Sequence, residues 1–129
     1  MSREIVSGPD LPVHGPYSPA VRVGGLLFVS AQPGLDPATG AVPAGGVDAE
    51  CRQALRNLER VLTAGGSGLA LVARTTLLYT DPADLPAINA VYAEFFPADP
   101  PARSAAVVTL AAGRRLVVDA IAAVADGDR

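Results

Sequence analysis

The chain contains no lysine; all ten basic residues among its 129 are arginines. This absence rules out a Schiff-base lysine, a covalently held pyridoxal phosphate and a P-loop lysine. There is one cysteine, Cys51, and one histidine, His14. A lone cysteine makes no internal disulfide, which fits a reducing compartment. One histidine and one cysteine do not supply a His/Cys metal site. No G-x-S-x-G, G-x-G-x-x-G or H-E-x-x-H occurs, and Gly65-Gly66-Ser67-Gly68 is read as a helix stop. Half of the residues are hydrophobic, yet no apolar run reaches the ~18 residues of a membrane helix. No apolar h-region follows Met1-Ser2-Arg3-Glu4, so no signal peptide and no membrane partner are expected, and a cytoplasmic location is. The net charge of −3 argues against nucleic acid as a partner. Any chemistry must therefore come from arginine, carboxylates, hydroxyls and backbone groups.

What is present reads as one domain over residues 1–129. Arg3 to Val6 is a short edge strand before the Gly8-Pro9-Asp10 turn. Leu11 to Pro19 is a stiff proline-rich loop ending His14-Gly15-Pro16-Tyr17-Ser18-Pro19. Ala20 to Val23 and Leu26 to Ala31, separated by Gly24-Gly25, form a hairpin. From Val47 to Ala64, Val47, Cys51, Ala54, Leu55, Leu58, Val61 and Leu62 make a helical apolar stripe. Asp48 and Glu50 stand at its start, where the helix dipole favours anions, and Cys51 is read as a small core residue. Val72 to Tyr79 is a strand. Asp81-Pro82-Ala83-Asp84 caps a second helix, Leu85 to Phe96, whose stripe of Ile88, Val91, Tyr92, Phe95 and Phe96 leaves Asn89 outside. The order predicts an α+β domain: a mixed sheet with two helices on one face, the other face calling for a partner copy.

The last quarter carries the candidate chemistry. Pro100-Pro101 stiffens the approach to Arg103, which opens an apolar run, Ala105 to Leu110, read as a buried strand. Its planar fork suits carboxylate recognition. A second apolar strand, Leu116 to Ala122, carries Asp119 in its middle, where a carboxylate is costly unless paired or hydrogen-bonded. The simplest site is a pocket holding both Arg103 and Asp119. His14 is read as a loop residue, Glu94 as solvated surface, and Arg114-Arg115 as an exposed turn pair.

Four stretches then resemble one family: Gly15-Pro16-Tyr17-Ser18; Phe28-Val29-Ser30-Ala31-Gln32-Pro33; Ile88-Asn89-Ala90-Val91-Tyr92-Ala93-Glu94-Phe95-Phe96; and Pro101-Ala102-Arg103-Ser104 with Val118-Asp119-Ala120-Ile121-Ala122. Together, over residues 3 to 124, they resemble the Rid family of reactive-intermediate imine/enamine deaminases, also called YjgF-type proteins. The resemblance implies a chorismate-mutase-like α+β subunit and a homotrimer packing its sheets into a barrel-like core, with sites in the clefts between subunits. Archetypal members hydrolyse small imines and enamines such as 2-aminoacrylate to the 2-keto acid and ammonia, without metal or cofactor.

By the same resemblance, Arg103 clamps the carboxylate of a small substrate and Asp119 positions the attacking water. Tyr17 lines the pocket, Ser30, Ala31 and Asn89 lie near it, and backbone at Ala105 contacts substrate or water. Three positions depart from the family: Ala31 replaces a glycine, Ala105 a cysteine, and Asp119 a glutamate one methylene longer. A non-catalytic protein binding a 2-keto acid or similar anion, and an enzyme for a larger pathway imine, both remain open. A ribonuclease is disfavoured by the acidic, lysine-free composition.

Overall fold

A computed structural model describes residues 2–125. Its elements are β1 (Arg3–Val6), β2 (Ala20–Val23), β3 (Leu26–Pro33), α1 (Gly46–Ala64), β4 (Val72–Tyr79), α2 (Leu85–Phe95), β5 (Ala102–Val107) and β6 (Leu116–Ala123). The six strands form one sheet in the order β1-β2-β3-β6-β4-β5. All neighbours run antiparallel except β4 and β5, which are parallel and joined through α2, the long crossover that parallel pairing requires. The last strand to be made, β6, lies between β3 and β4.

The hairpin forms where expected, with Gly24 at φ 58° in its turn, a conformation glycine adopts at no steric cost. α1 ends at Gly65, whose N–H donates to Val61 and Leu62 carbonyls, and Gly66 follows at φ 83°. Its stripe, Cys51, Ala54, Leu55, Leu58, Val61 and Leu62, is buried against the sheet together with Ile88 and Val91 of α2.

Strand alternation sorts the sheet into two faces. Leu27, Val29, Thr75, Leu77, Leu116, Val118, Ala120 and Ala122 point to the helices and are buried. Cross-strand partners share a face, so Phe28 with Ile121, and Thr76 with Asp119, point the other way. That side is uncovered in the single chain: Leu26 is 44% and Phe28 42% exposed.

Three expectations need correcting. The run after Arg103 is not a buried strand: β5 stops at Val107 and is exposed from Ser104 onward. It is the edge strand, so among the described residues one flank of it has no neighbour. Glu50, read as an anion favoured by the helix dipole at the start of α1, lies past the first turn and is fully buried. Arg114 and Arg115 are not an exposed pair: both are half-buried, and Arg115 donates to Glu50 from its backbone N–H and from Nε, each at 2.7 Å. Arg114 Nε is itself buried, with no hydrogen-bond partner among the described residues.

Candidate functional site

Arg103 is the second residue of β5 and pairs with Thr75 of β4. Thr75 faces the helices, fully buried, its hydroxyl 2.8 Å from the Tyr92 hydroxyl. Arg103 shares that face and lays its guanidinium 4.8 Å from the centre of the Tyr92 ring, a cation–π contact of about 0.5–1 kcal/mol. Tyr92 is held in turn by Phe96, ring to ring at 4.7 Å. The mount foreseen for Arg103 is therefore a stacked aromatic as well as a stiff proline approach. Ala105, two residues on, keeps the same face and is exposed, as is Asn89 on α2.

Asp119 sits on the opposite face. Its Oδ1 accepts a 3.1 Å hydrogen bond from the Thr76 N–H. It lines a cavity of about 270 Å³ with Phe28, Val29, Arg74, Thr76, Ala120 and Ile121. Arg74 on this face donates to the Ser104 hydroxyl of β5. Within one chain the sheet itself thus separates Arg103 from Asp119, and the simple pocket holding both is not present. The cause is parity: Arg103 is in register with Thr75, and Asp119 with the next residue, Thr76.

The loop residues form a third place. Tyr17, 48% exposed, accepts at its hydroxyl from the His14 N–H at 3.3 Å. With Ala31, His14, Asn57 and Arg60 it lines a pocket of about 80 Å³. Ser30 ties this loop to β3, its hydroxyl donating to the Ser18 carbonyl at 2.6 Å and its N–H to that of Pro19 at 3.0 Å. The β3–β6 register shifts between Val29 and Gln32, a bulge that re-aims the strand at Ser30 and Ala31. Tyr17 and Ala31 therefore share a pocket, Asp119 lines another, and Arg103 lines neither.

Sequence reasoning missed Arg74 and Thr76 as neighbours of Asp119, and the Ser104 hydroxyl as the partner of Arg74. The hydrophobic pattern marks each strand but carries no pairing register, and only the register brings these residues together. Cys51 behaves as foreseen for a core residue: burial pushes its thiol up to about 12, so it stays protonated and unreactive at neutral pH.

A six-stranded mixed sheet with both helices on one face defines an α+β sheet-and-helix protein whose second face is open. The sequence pattern of the Endoribonuclease L-PSP family matches residues 9–124. A mouse 2-iminobutanoate/2-iminopropanoate deaminase is 40% identical over 93% of this chain and 90% of its own length. The YjgF gene product of E. coli superposes with a TM-score of 0.87 at 33% identity, covering 93% of this chain and 98% of its own. TdcF of E. coli, solved with bound serine, gives the same four values. The chain belongs to this YjgF/Rid family of L-PSP proteins. Among the described residues no helix is long and apolar enough to cross a membrane.

Proposed function

We propose that the protein is a cofactor-free hydrolase of small 2-imino acids and their enamine tautomers, assembled as a cytoplasmic homotrimer. Arg103 of one copy anchors the substrate carboxylate and Asp119 of a neighbouring copy positions the water. The observation that carries this reading is the placement of Arg103 and Asp119 on opposite faces of one sheet, which leaves each half-site incomplete without another copy. The uncovered apolar residues Leu26 and Phe28, and Val107 on the edge strand at 50% exposure, supply surface for that neighbour. Tyr17 and Ala31 would border the cleft from the loop, with Ser30 behind them, and Asn89 and Ala105 from the Arg103 side. Curated relatives named as imine deaminases support the reaction class.

The chemistry needs only what these side chains offer. Water adds to the C=N carbon while its proton passes to Asp119. That proton goes on to the nitrogen to give the carbinolamine; Asp119 then moves the carbinolamine hydroxyl proton to the amine, the C–N bond breaks as the C=O forms, and ammonia leaves a 2-keto acid. Arg103 holds the carboxylate through two parallel N–H donors, and positioning supplies most of the acceleration.

The test generates an imine in situ with an amino-acid oxidase and traps what remains with semicarbazide. Acceleration by the wild type, abolished in Arg103→Ala and in Asp119→Ala, is the expected result; no acceleration across small and bulky imines contradicts it. A second reading, a non-catalytic pocket for a small carboxylate, is favoured by one observation: Asp119 Oδ1 is already occupied by the Thr76 N–H. Retention of a 2-keto acid without turnover would select that reading. Light scattering tests the assembly separately: a trimer mass is expected, and a monomer at micromolar concentration refutes the shared site.

A further inference from the structure

Arg74 is the guanidinium that lines the same cavity as Asp119. It stands on β4 between two same-face diagonal neighbours, Asp119 on β6 and Ser104 on β5, both within reach of a long side chain. A carboxylate is ordinarily the stronger partner for a guanidinium. Arg74 nevertheless donates to the Ser104 hydroxyl, and Asp119 takes the backbone N–H of Thr76. Among the described residues the ion pairs within 4.0 Å are Arg22–Glu4, Arg52–Glu94 and Arg115–Glu50, and Arg74–Asp119 is not one of them. The two charges therefore share the cavity of about 270 Å³ without closing on each other.

The groups left over are complementary to a bridging molecule. A guanidinium has five N–H donors, and Arg74 has committed a donor to Ser104. Asp119 holds the Thr76 N–H on Oδ1, and among the described residues Oδ2 has no partner. A water between them would donate one O–H to Oδ2 and accept from Arg74, leaving its second lone pair directed into the cavity. Phe28 and Ile121 wall that space, which exceeds the ≈ 30 Å³ share of one water and so has room for a small reactant as well.

We infer that Arg74 is a positioning residue for hydrolysis: it orients the nucleophilic water whose proton Asp119 accepts, while Ser104 holds Arg74 away from the carboxylate. The inference rests on the imine-hydrolase reading and names the residue that fixes its water. Arg74 acts on the water and leaves the substrate carboxylate to Arg103. Loss of Arg74 lowers kcat with KM nearly unchanged, whereas loss of Arg103 removes the substrate anchor and, with it, measurable turnover.

The test measures kcat and KM for Arg74→Met, Arg74→Lys, Ser104→Ala, Arg103→Ala and Asp119→Ala, each checked for wild-type oligomeric mass and melting temperature. Arg74→Met is expected to lose about 10- to 100-fold in kcat, the scale of a water misplaced by ~1 Å. Arg74→Lys recovers part of it by restoring a donor. Ser104→Ala loses less, because it frees Arg74 to collapse onto Asp119 in only part of the population. Should Arg74→Met misfold, Arg74→Lys and Ser104→Ala still carry the kcat-against-KM comparison. Unchanged kcat in folded Arg74→Met, beside an inactive Asp119→Ala, overturns the inference and leaves the hydrolase reading standing. A rise in KM alone also overturns it, since Arg74 would then be binding substrate. A wild type that accelerates no imine, or an Asp119→Ala with full kcat, overturns the hydrolase reading and the inference with it.

Discussion

Glu50 offers the sharpest stability prediction, because two physical accounts of the same residue differ severalfold. As a first-turn anion it would contribute roughly 0.3–1 kcal/mol through the helix dipole. The fold instead buries it completely at the start of α1 and gives both carboxylate oxygens to Arg115, the residue that leads into β6. Glu50→Ala leaves the Arg115 N–H without its acceptor, at about 1.5–3 kcal/mol for a bond to a charged group. The guanidinium half adds less, on the order of 1 kcal/mol or below, because the Arg115 side chain is 38% exposed and screened by solvent. Together these give about 3 kcal/mol, or a fall of roughly 10 °C in Tm for a chain of this size. Glu50→Gln keeps one acceptor and turns an amide N–H toward the other donor, so about half of that loss is expected. Urea unfolding at constant m-value measures both. A Glu50→Ala loss below about 1 kcal/mol would refute the buried-pair account and restore the dipole reading.

Other outcomes follow from particular contacts. In Gly34→Ala the added Cβ would lie 2.1 Å from the Glu50 carbonyl oxygen and 2.7 Å from its Cγ. Backbone must therefore move, and a loss of more than about 2 kcal/mol in the same urea assay is expected. Cys51 should resist iodoacetamide at pH 8 in the folded state and react readily in denaturant; rapid labelling of native protein would contradict its burial. Its folded pKa, raised from 9.0 to about 12 by burial, makes the thiol's contribution to stability complete below pH 9.0. That contribution is lost as pH climbs from 9.0 to about 12, so Cys51→Ala should flatten the alkaline limb of a stability–pH curve. Phe28→Asp places a charge on the uncovered sheet face, and the expected result is dissociation to monomers by light scattering with the helical circular-dichroism signal retained.

Much of this fold is legible in the sequence because its elements are punctuated strongly. The glycine pair at 24–25, the stripe from Cys51 to Leu62 and the prolines around α2 set boundaries that the structure reproduces to within one or two residues. What stays hidden is whatever depends on strand pairing. β6 enters between β3 and β4, so Asp119 meets Thr76 and Arg74, whose nearness no local pattern records. Arg103 and Asp119 each stand out in the sequence as charged residues in apolar runs. Their side of the sheet follows from a one-residue difference in register, and a shift of one reverses every side chain. The burial of Glu50 is hidden for a similar reason: its partner lies 65 residues away. The exposure of β5 comes from its place at the edge, and its alanine-rich sequence looks the same buried or bare.

The claim that Arg103 and Asp119 meet between copies is tested most directly by mixing two inactive variants. Arg103→Ala and Asp119→Ala would each be purified, unfolded, combined in equal amounts and refolded, with mixed oligomers verified by native mass spectrometry. A site drawing Arg103 from one copy and Asp119 from the next has both residues intact in about a quarter of randomly mixed interfaces. Recovery of about a quarter of wild-type imine hydrolysis is therefore the expected result. Mixed oligomers that remain as inactive as either variant alone would contradict the shared site.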